Sequence, residues 1–182
     1  MSCITALSAQ FVFAQGVPAF DGQWWLLLAS RLLHILSAIV LLGGIFYLRA
    51  IVAPGRAAAG GDAEAWYAGR RPAWVKWVGI TTLLLVATGL FNFITNVKTY
   101  EIATSYHMLV GLKILAALVV FFLAAVLAGR SRLAERFRMH MRFWLSACLV
   151  AGIITVLIGS VMRTYPRELK PIVGPTLVAP GN

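Results

Sequence analysis

Four long apolar runs dominate the chain, separated by short segments rich in arginine, glycine and proline. They cover about residues 24–48, 77–97, 106–128 and 143–162, each near the ~20 residues that a helix needs to cross a bilayer. Strand-like alternation and internal repeats are missing from the pattern. It predicts an all-α, polytopic membrane protein: four transmembrane helices in an up-down antiparallel bundle joined by short connections. Residues 1–23, with Gly16, Pro18, Asp21 and Gly22, read as a lead-in. The transmembrane domain takes residues 24–162, and residues 163–182, with four prolines, read as an extended tail. Pro54, Gly55, Gly60 and Gly61 break the connection at 49–76, which leaves room for a short surface helix around residues 63–69.

Polar residues inside the runs are confined to faces. At ~100° per residue, Ser30, Arg31, His34 and Ser37 share an arc of about 120° on the first run. Thr81, Thr82, Thr88, Asn92, Thr95 and Asn96 share about 140° on the second. Cys148, Gly152, Thr155 and Gly159 form a narrow stripe on the fourth. Such faces are expected to turn into a bundle and away from lipid, and a stripe of small residues is first of all a packing surface.

Composition agrees. The 182 residues are 60% hydrophobic and 12% charged, with mean hydropathy +0.85, against roughly 25% charged in a soluble domain. The net charge of +10 does not point to nucleic acid, because the basic residues cluster between the apolar runs, where orientation signals belong. They concentrate in the first and third connections, which the positive-inside rule places in the cytoplasm, with both termini outside. A multi-pass membrane protein follows as the expectation, with the lipid bilayer as its first partner. The lead-in has an apolar stretch but no basic start, which argues against a cleaved signal peptide. Cys3 and Cys148 lie too far apart in this topology to suggest a disulfide.

Depth adds more. A charge inside a spanning helix costs at least ~2.5 kcal/mol, so it marks a functional site by default. Counted from the last basic residue on the cytoplasmic side of each run, His34 lies 15 residues from Arg49, and Arg31 lies 18. Asn92 lies 16 from Lys76, Lys113 lies 17 from Arg130, and Gly159 lies 17 from Arg142. At ~1.5 Å per residue all sit about 22–27 Å up. Arg31, His34, Asn92 and Lys113 thus form one polar layer. His107, 23 residues from Arg130, lies about 10 Å further out, which argues against a bis-histidine clamp with His34.

The layer holds two cations, and no Asp or Glu occurs within the four runs. Charge buried there needs a partner. Arg31 and Lys113 either snorkel to the interface, meet a carboxylate from a second copy or a partner membrane subunit, or hold an anionic ligand. In the last case His34 is free to coordinate a metal or shuttle a proton. A porphyrin-type ligand matches that description, with propionates for the cations and an imidazole near the ring centre. Copper would prefer several Met, Cys or His at one level, whereas Met108, Met162 and Cys148 lie at different depths. The lack of carboxylates in the runs also argues against a proton-coupled transporter.

The segment Arg31-Leu-Leu-His34 followed by Gly43-Gly44-Ile-Phe-Tyr-Leu-Arg49, together with Lys113 in Gly111-Leu-Lys-Ile, resembles the CopD-like and HemJ-type membrane proteins. The resemblance extends over all four runs but rests on few residues. It departs at Leu41, where those families carry tryptophan, and lacks the proline expected before the basic end of the first helix. The HemJ-type resemblance implies a protoporphyrinogen-oxidase-like redox protein of a bacterial plasma (inner) membrane, containing haem b. His34 would then be haem ligand or redox residue, Lys113 a catalytic-site residue and Arg31 an anion contact. The CopD-like resemblance implies copper handling instead.

Overall fold

A computed structural model describes residues 21–54, 61–101, 104–165 and 168–169. The expected lead-in up to residue 20, Cys3 and the tail beyond residue 169 lie outside the described residues. The first helix, α1, is Gly22–Tyr47 and continues through a π-helical turn, Leu48–Val52. It is followed by α2 (Gly61–Thr99), β1 (Tyr100–Glu101), α3 (Thr104–Ala128), α4 (Arg132–Met139), α5 (Met141–Thr164) and β2 (Glu168–Leu169). Among the described residues four helices are long and apolar enough to cross a membrane: α1, α2, α3 and α5.

Asp21 starts α1. Its backbone is extended, and its carboxylate accepts a 2.8 Å hydrogen bond from the Trp24 amide, satisfying one of the orphan donors of the first turn. Asp21→Ala is expected to cost about 1 kcal/mol and to speed amide exchange at Trp24. At the other end Pro54 has no N–H to give back to the helix. The chain there widens into the π turn, in which the Ala53 amide reaches Leu48 O. This turn presents Arg49 to α5, where its Nε donates to Ser146 Oγ at 2.6 Å.

Two connections differ from expectation. The segment 63–69 is not a separate surface helix but part of α2, which runs unbroken from Gly61. Pro72 lies inside α2 and is exposed. A proline there removes one backbone bond at the surface, while the alanines, Glu64 and the arginines around it favour helix. The arginine-rich third connection also folds, as α4. Ser131 caps it, accepting from the Ala134 amide. Ala134, Phe137 and Arg138 then turn inward at helical spacing, and Arg138 Nη1 donates to Gly129 O at 2.7 Å. Phe137 stacks on Trp144 of α5 with ring centres 4.3 Å apart. The two-residue ladder pairs Tyr100 with Leu169 and Glu101 with Glu168. It is too short to leave an alternation in the sequence.

The bundle is built of two close pairs. α1 packs most extensively on α2, and α3 on α5; contacts of α2 with α3 and of α1 with α5 close the ring. α1 and α3 therefore face each other across the diagonal. The larger apolar cluster fills the half nearest the arginine-rich connections, with Leu41, Ile45, Leu145 and Cys148 fully buried at its centre. A smaller one, Tyr106, Val110, Ile158 and Met162, ties α3 to α5 at the opposite end. Outward, each helix presents bare apolar side chains, with Ile39, Leu83, Leu115 and Leu157 58–70% exposed. A protein in water rarely shows so continuous an apolar surface. Lipid is the solvent such a surface fits, and the chain is a multi-pass membrane protein.

Candidate functional site

The polar layer lies between the two apolar clusters, and the structure divides it into two neighbouring parts. The first centres on His34. Its Nδ1 stands 2.8 Å from Thr88 Oγ1, across the α1–α2 contact. Thr88 has one hydroxyl proton, and it is given to Leu84 O at 2.5 Å. Toward His34 the Thr88 oxygen can then only accept, so Nδ1 carries the imidazole proton and Nε2 keeps its lone pair. The ring lies beside Gly89, where a Cβ would come within 3.3 Å of Cε1. Ser37, one turn along α1, is buried beside it.

Lys113 approaches from α3. Its ammonium lies over Gly159 of α5, where a Cβ would stand 3.0 Å from Nζ. Lys113 and Gly159, each 17 residues up from its own basic end, do meet at the same depth. His34 on α1 and Lys113 on α3 are both half-buried and stand on diagonal helices. Among the described residues Lys113 has no carboxylate or hydrogen-bond partner.

The second part belongs to Arg31 and Asn92, one turn further toward the end opposite the arginine-rich connections. Ser30 Oγ donates to Asn92 Oδ1 at 3.3 Å, and Asn96 Nδ2 donates to Asn92 O at 2.8 Å. Arg31 and Asn92 line a cavity of about 100 Å³ between α1 and α2. Arg31 is exposed rather than buried. The expected single layer is thus divided, with His34 and Lys113 half-buried in the bundle and Arg31 with Asn92 at a cavity toward the end opposite the arginine-rich connections. His107 is exposed and outside both.

Sequence reasoning placed Thr88 on the polar face of α2 but did not single it out as the residue that sets the His34 tautomer. Its signal was the spacing of four to Asn92. Gly89 had no signal, since its role is only to leave room for a ring from another helix.

Among the described residues no three of His, Cys, Asp or Glu gather into a metal cluster, so His34 is a single possible metal donor. For a haem the donor chemistry fits: one imidazole with a free Nε2, and two cations for propionates. The space fits less well. About 100 Å³ holds a carboxylate but not a macrocycle, which needs the ~300 Å³ or more of an ordinary ligand pocket. No family model, curated protein or solved structure matches the chain.

Proposed function

We propose that the chain is a protein of a bacterial plasma membrane that binds an anionic, carboxylate-bearing ligand at its polar layer. A porphyrin or haem b is the ligand class that the HemJ-type resemblance favours. One observation carries the reading: His34 Nδ1 is held against Thr88 Oγ1, and the half-buried Lys113 ammonium over Gly159 has no carboxylate among the described residues. In this role Thr88 keeps the proton on Nδ1, Lys113 neutralises the anion, and Arg31 with Asn92 meets it at the mouth. A bound haem would supply one-electron chemistry, with His34 as its protein ligand. Admitting its ring requires the two helix pairs to part along α1–α5 or α2–α3, where they touch least. Oxidation of a porphyrinogen would be the activity of such a protein.

Protein extracted in mild detergent is expected to show, or to acquire on adding haem, a Soret band that His34→Ala abolishes. Thr88→Val is expected to weaken haem affinity about tenfold, as loss of a partner that orients a ligating histidine does. A colourless protein that takes up neither haem nor protoporphyrin overturns the porphyrin reading.

The bare Lys113 and exposed Arg31 also favour a second reading, an accessory or assembly subunit whose cations meet acidic residues of a partner helix. Co-purification of that partner from mild detergent, lost in Lys113→Met, would distinguish it. A copper-handling role has less support, since among the described residues no three His, Cys, Asp or Glu side chains gather into a metal cluster.

A further inference from the structure

Among the described residues the two ends of the bundle are filled by different side chains. Below His34 and Lys113, toward the arginine-rich connections, lies the larger apolar cluster: Leu41 is 2%, Ile45 1% and Leu145 1% exposed, and Cys148 is fully buried. Among the described residues its polar groups include Thr81, which donates to Trp77 O of its own helix, Arg49, whose Nε donates to Ser146 Oγ between α1 and α5, and Thr82, whose buried Oγ1 has no hydrogen-bond partner. At the opposite end, α3 and α5 are sealed by Tyr106, Val110, Ile158 and Met162, with Tyr165 edge-on to Tyr106 at 6.1 Å. Between α1 and α2 at this end the lining changes character. Arg31, Asn92, Thr95, Asn96, Thr99 and Tyr100 surround the cavity of about 100 Å³. Arg31 is the one charged side chain among the described lining residues. Asn92 Oδ1 accepts from Ser30 Oγ and Thr95 Oγ1 donates to Phe91 O, so the walls are held in place. On α1 Arg31 stands one turn from His34, and on α2 Asn92 stands one turn from Thr88, about 5.4 Å in each case.

We infer that this cavity is a one-sided vestibule, admitting a carboxylate or other small oxyanion from the membrane face opposite the arginine-rich connections and disfavouring cations. It rests on the anionic-ligand reading above but adds direction and charge selection to it. A cleft lined by one sign of charge in low-dielectric walls concentrates the opposite sign and accelerates its arrival by about tenfold or more. With the other half plugged by apolar side chains, a ligand reaches Lys113 and His34 past Arg31 and returns the same way. The site exchanges with one aqueous phase.

The test needs no knowledge of the ligand. In full-length protein carrying Cys3→Ser, with Cys148 left buried, Thr99→Cys places a thiol on the vestibule wall and Thr164→Cys places one at the same end, outside it. Each is treated with an anionic (sulfonatoethyl) and a cationic (trimethylammonioethyl) methanethiosulfonate in vesicles of either orientation. The Thr99→Cys thiol is expected to react about tenfold faster with the anionic reagent relative to the Thr164→Cys thiol. It should do so only from the face opposite the arginine-rich connections. Arg31→Gln should remove the preference, and Arg31→Lys, which keeps the charge, should retain it. Equal ratios at the two thiols, a preference that survives Arg31→Gln, or reaction from the arginine-rich face overturns the inference. Should the protein bind no porphyrin while the charge preference holds, the porphyrin reading falls and the vestibule stands.

Discussion

Replacing Lys113 by methionine is expected to stabilise the bundle by about 2 kcal/mol while abolishing binding of an anionic ligand. The two side chains are nearly the same length, and Gly159 leaves the end of either one its space. What changes is the charge. Lys113 is half-buried within a membrane helix and has no carboxylate partner among the described residues, so its cost is not offset as it would be in a buried ion pair. Breaking a pair destabilises, because it strands the other charge; removing an unpaired cation strands nothing. The trade of stability against function is the one expected of a site retained for its chemistry. Denaturant or thermal unfolding in detergent, beside a ligand titration, checks both halves. A variant that unfolds more readily than the parent would mean that Lys113 has a structural partner, and the anionic-ligand reading would lose its interior cation.

The twin glycines of α1 should respond oppositely to the same change. At Gly44 an added Cβ would fall among the ring atoms of Trp74, on α2. A rigid aromatic cannot yield locally, so Gly44→Ala must push Trp74 aside and open the α1–α2 contact, at about 2 kcal/mol. At Gly43 the same methyl group meets nothing within 4 Å. Gly43→Ala is expected to be neutral or to stabilise by up to ~1 kcal/mol, the gain in helix propensity. Unfolding and Trp fluorescence of the two variants side by side measure the difference. Equal behaviour would contradict the Trp74 contact. The pair also shows why a small-residue motif read from sequence is ambiguous. Gly43-Gly44 carried weight as a family resemblance, yet only Gly44 has a packing role here.

Much of the architecture was legible because a bilayer constrains a helix in simple ways. Run length gave four spans, and basic residues marked one end of each. The fixed rise per residue put Lys113 and Gly159 at one depth, where they do meet. The same rule separated His107 from His34. The helices extend beyond their apolar runs, however. Residues 61–76 and Arg132–Met139 read as connections because glycine, proline and arginine are loop signals in water. At a membrane surface the same arginines and alanines are good helix formers, and Ser131 supplies the cap.

Counting gives height but not azimuth, and that is where the site escaped the sequence. Arg31 and His34 are about 60° apart on α1, close enough to suggest one layer. That angle sends His34 to Thr88 and the bundle interior, and Arg31 to the cavity with Asn92. Thr88 was one of several threonines on a polar face until the Leu84 carbonyl took its proton and left its oxygen to accept from His34.

By itself the sequence determined a membrane-spanning four-helix chain, the end at which its basic residues gather, and a depth at which charge without internal acid accumulates. These follow from length, hydropathy and rise per residue, which are local quantities. Only the tertiary structure decided which helices pair, that Lys113 lies over Gly159, that His34 meets Thr88, and between which helices the polar cavity lies. Each of those depends on how helices far apart in sequence are rotated against one another, and rotation is set by packing: a glycine beneath a ring, an apolar cluster at one end, and a hydroxyl with a single proton to give.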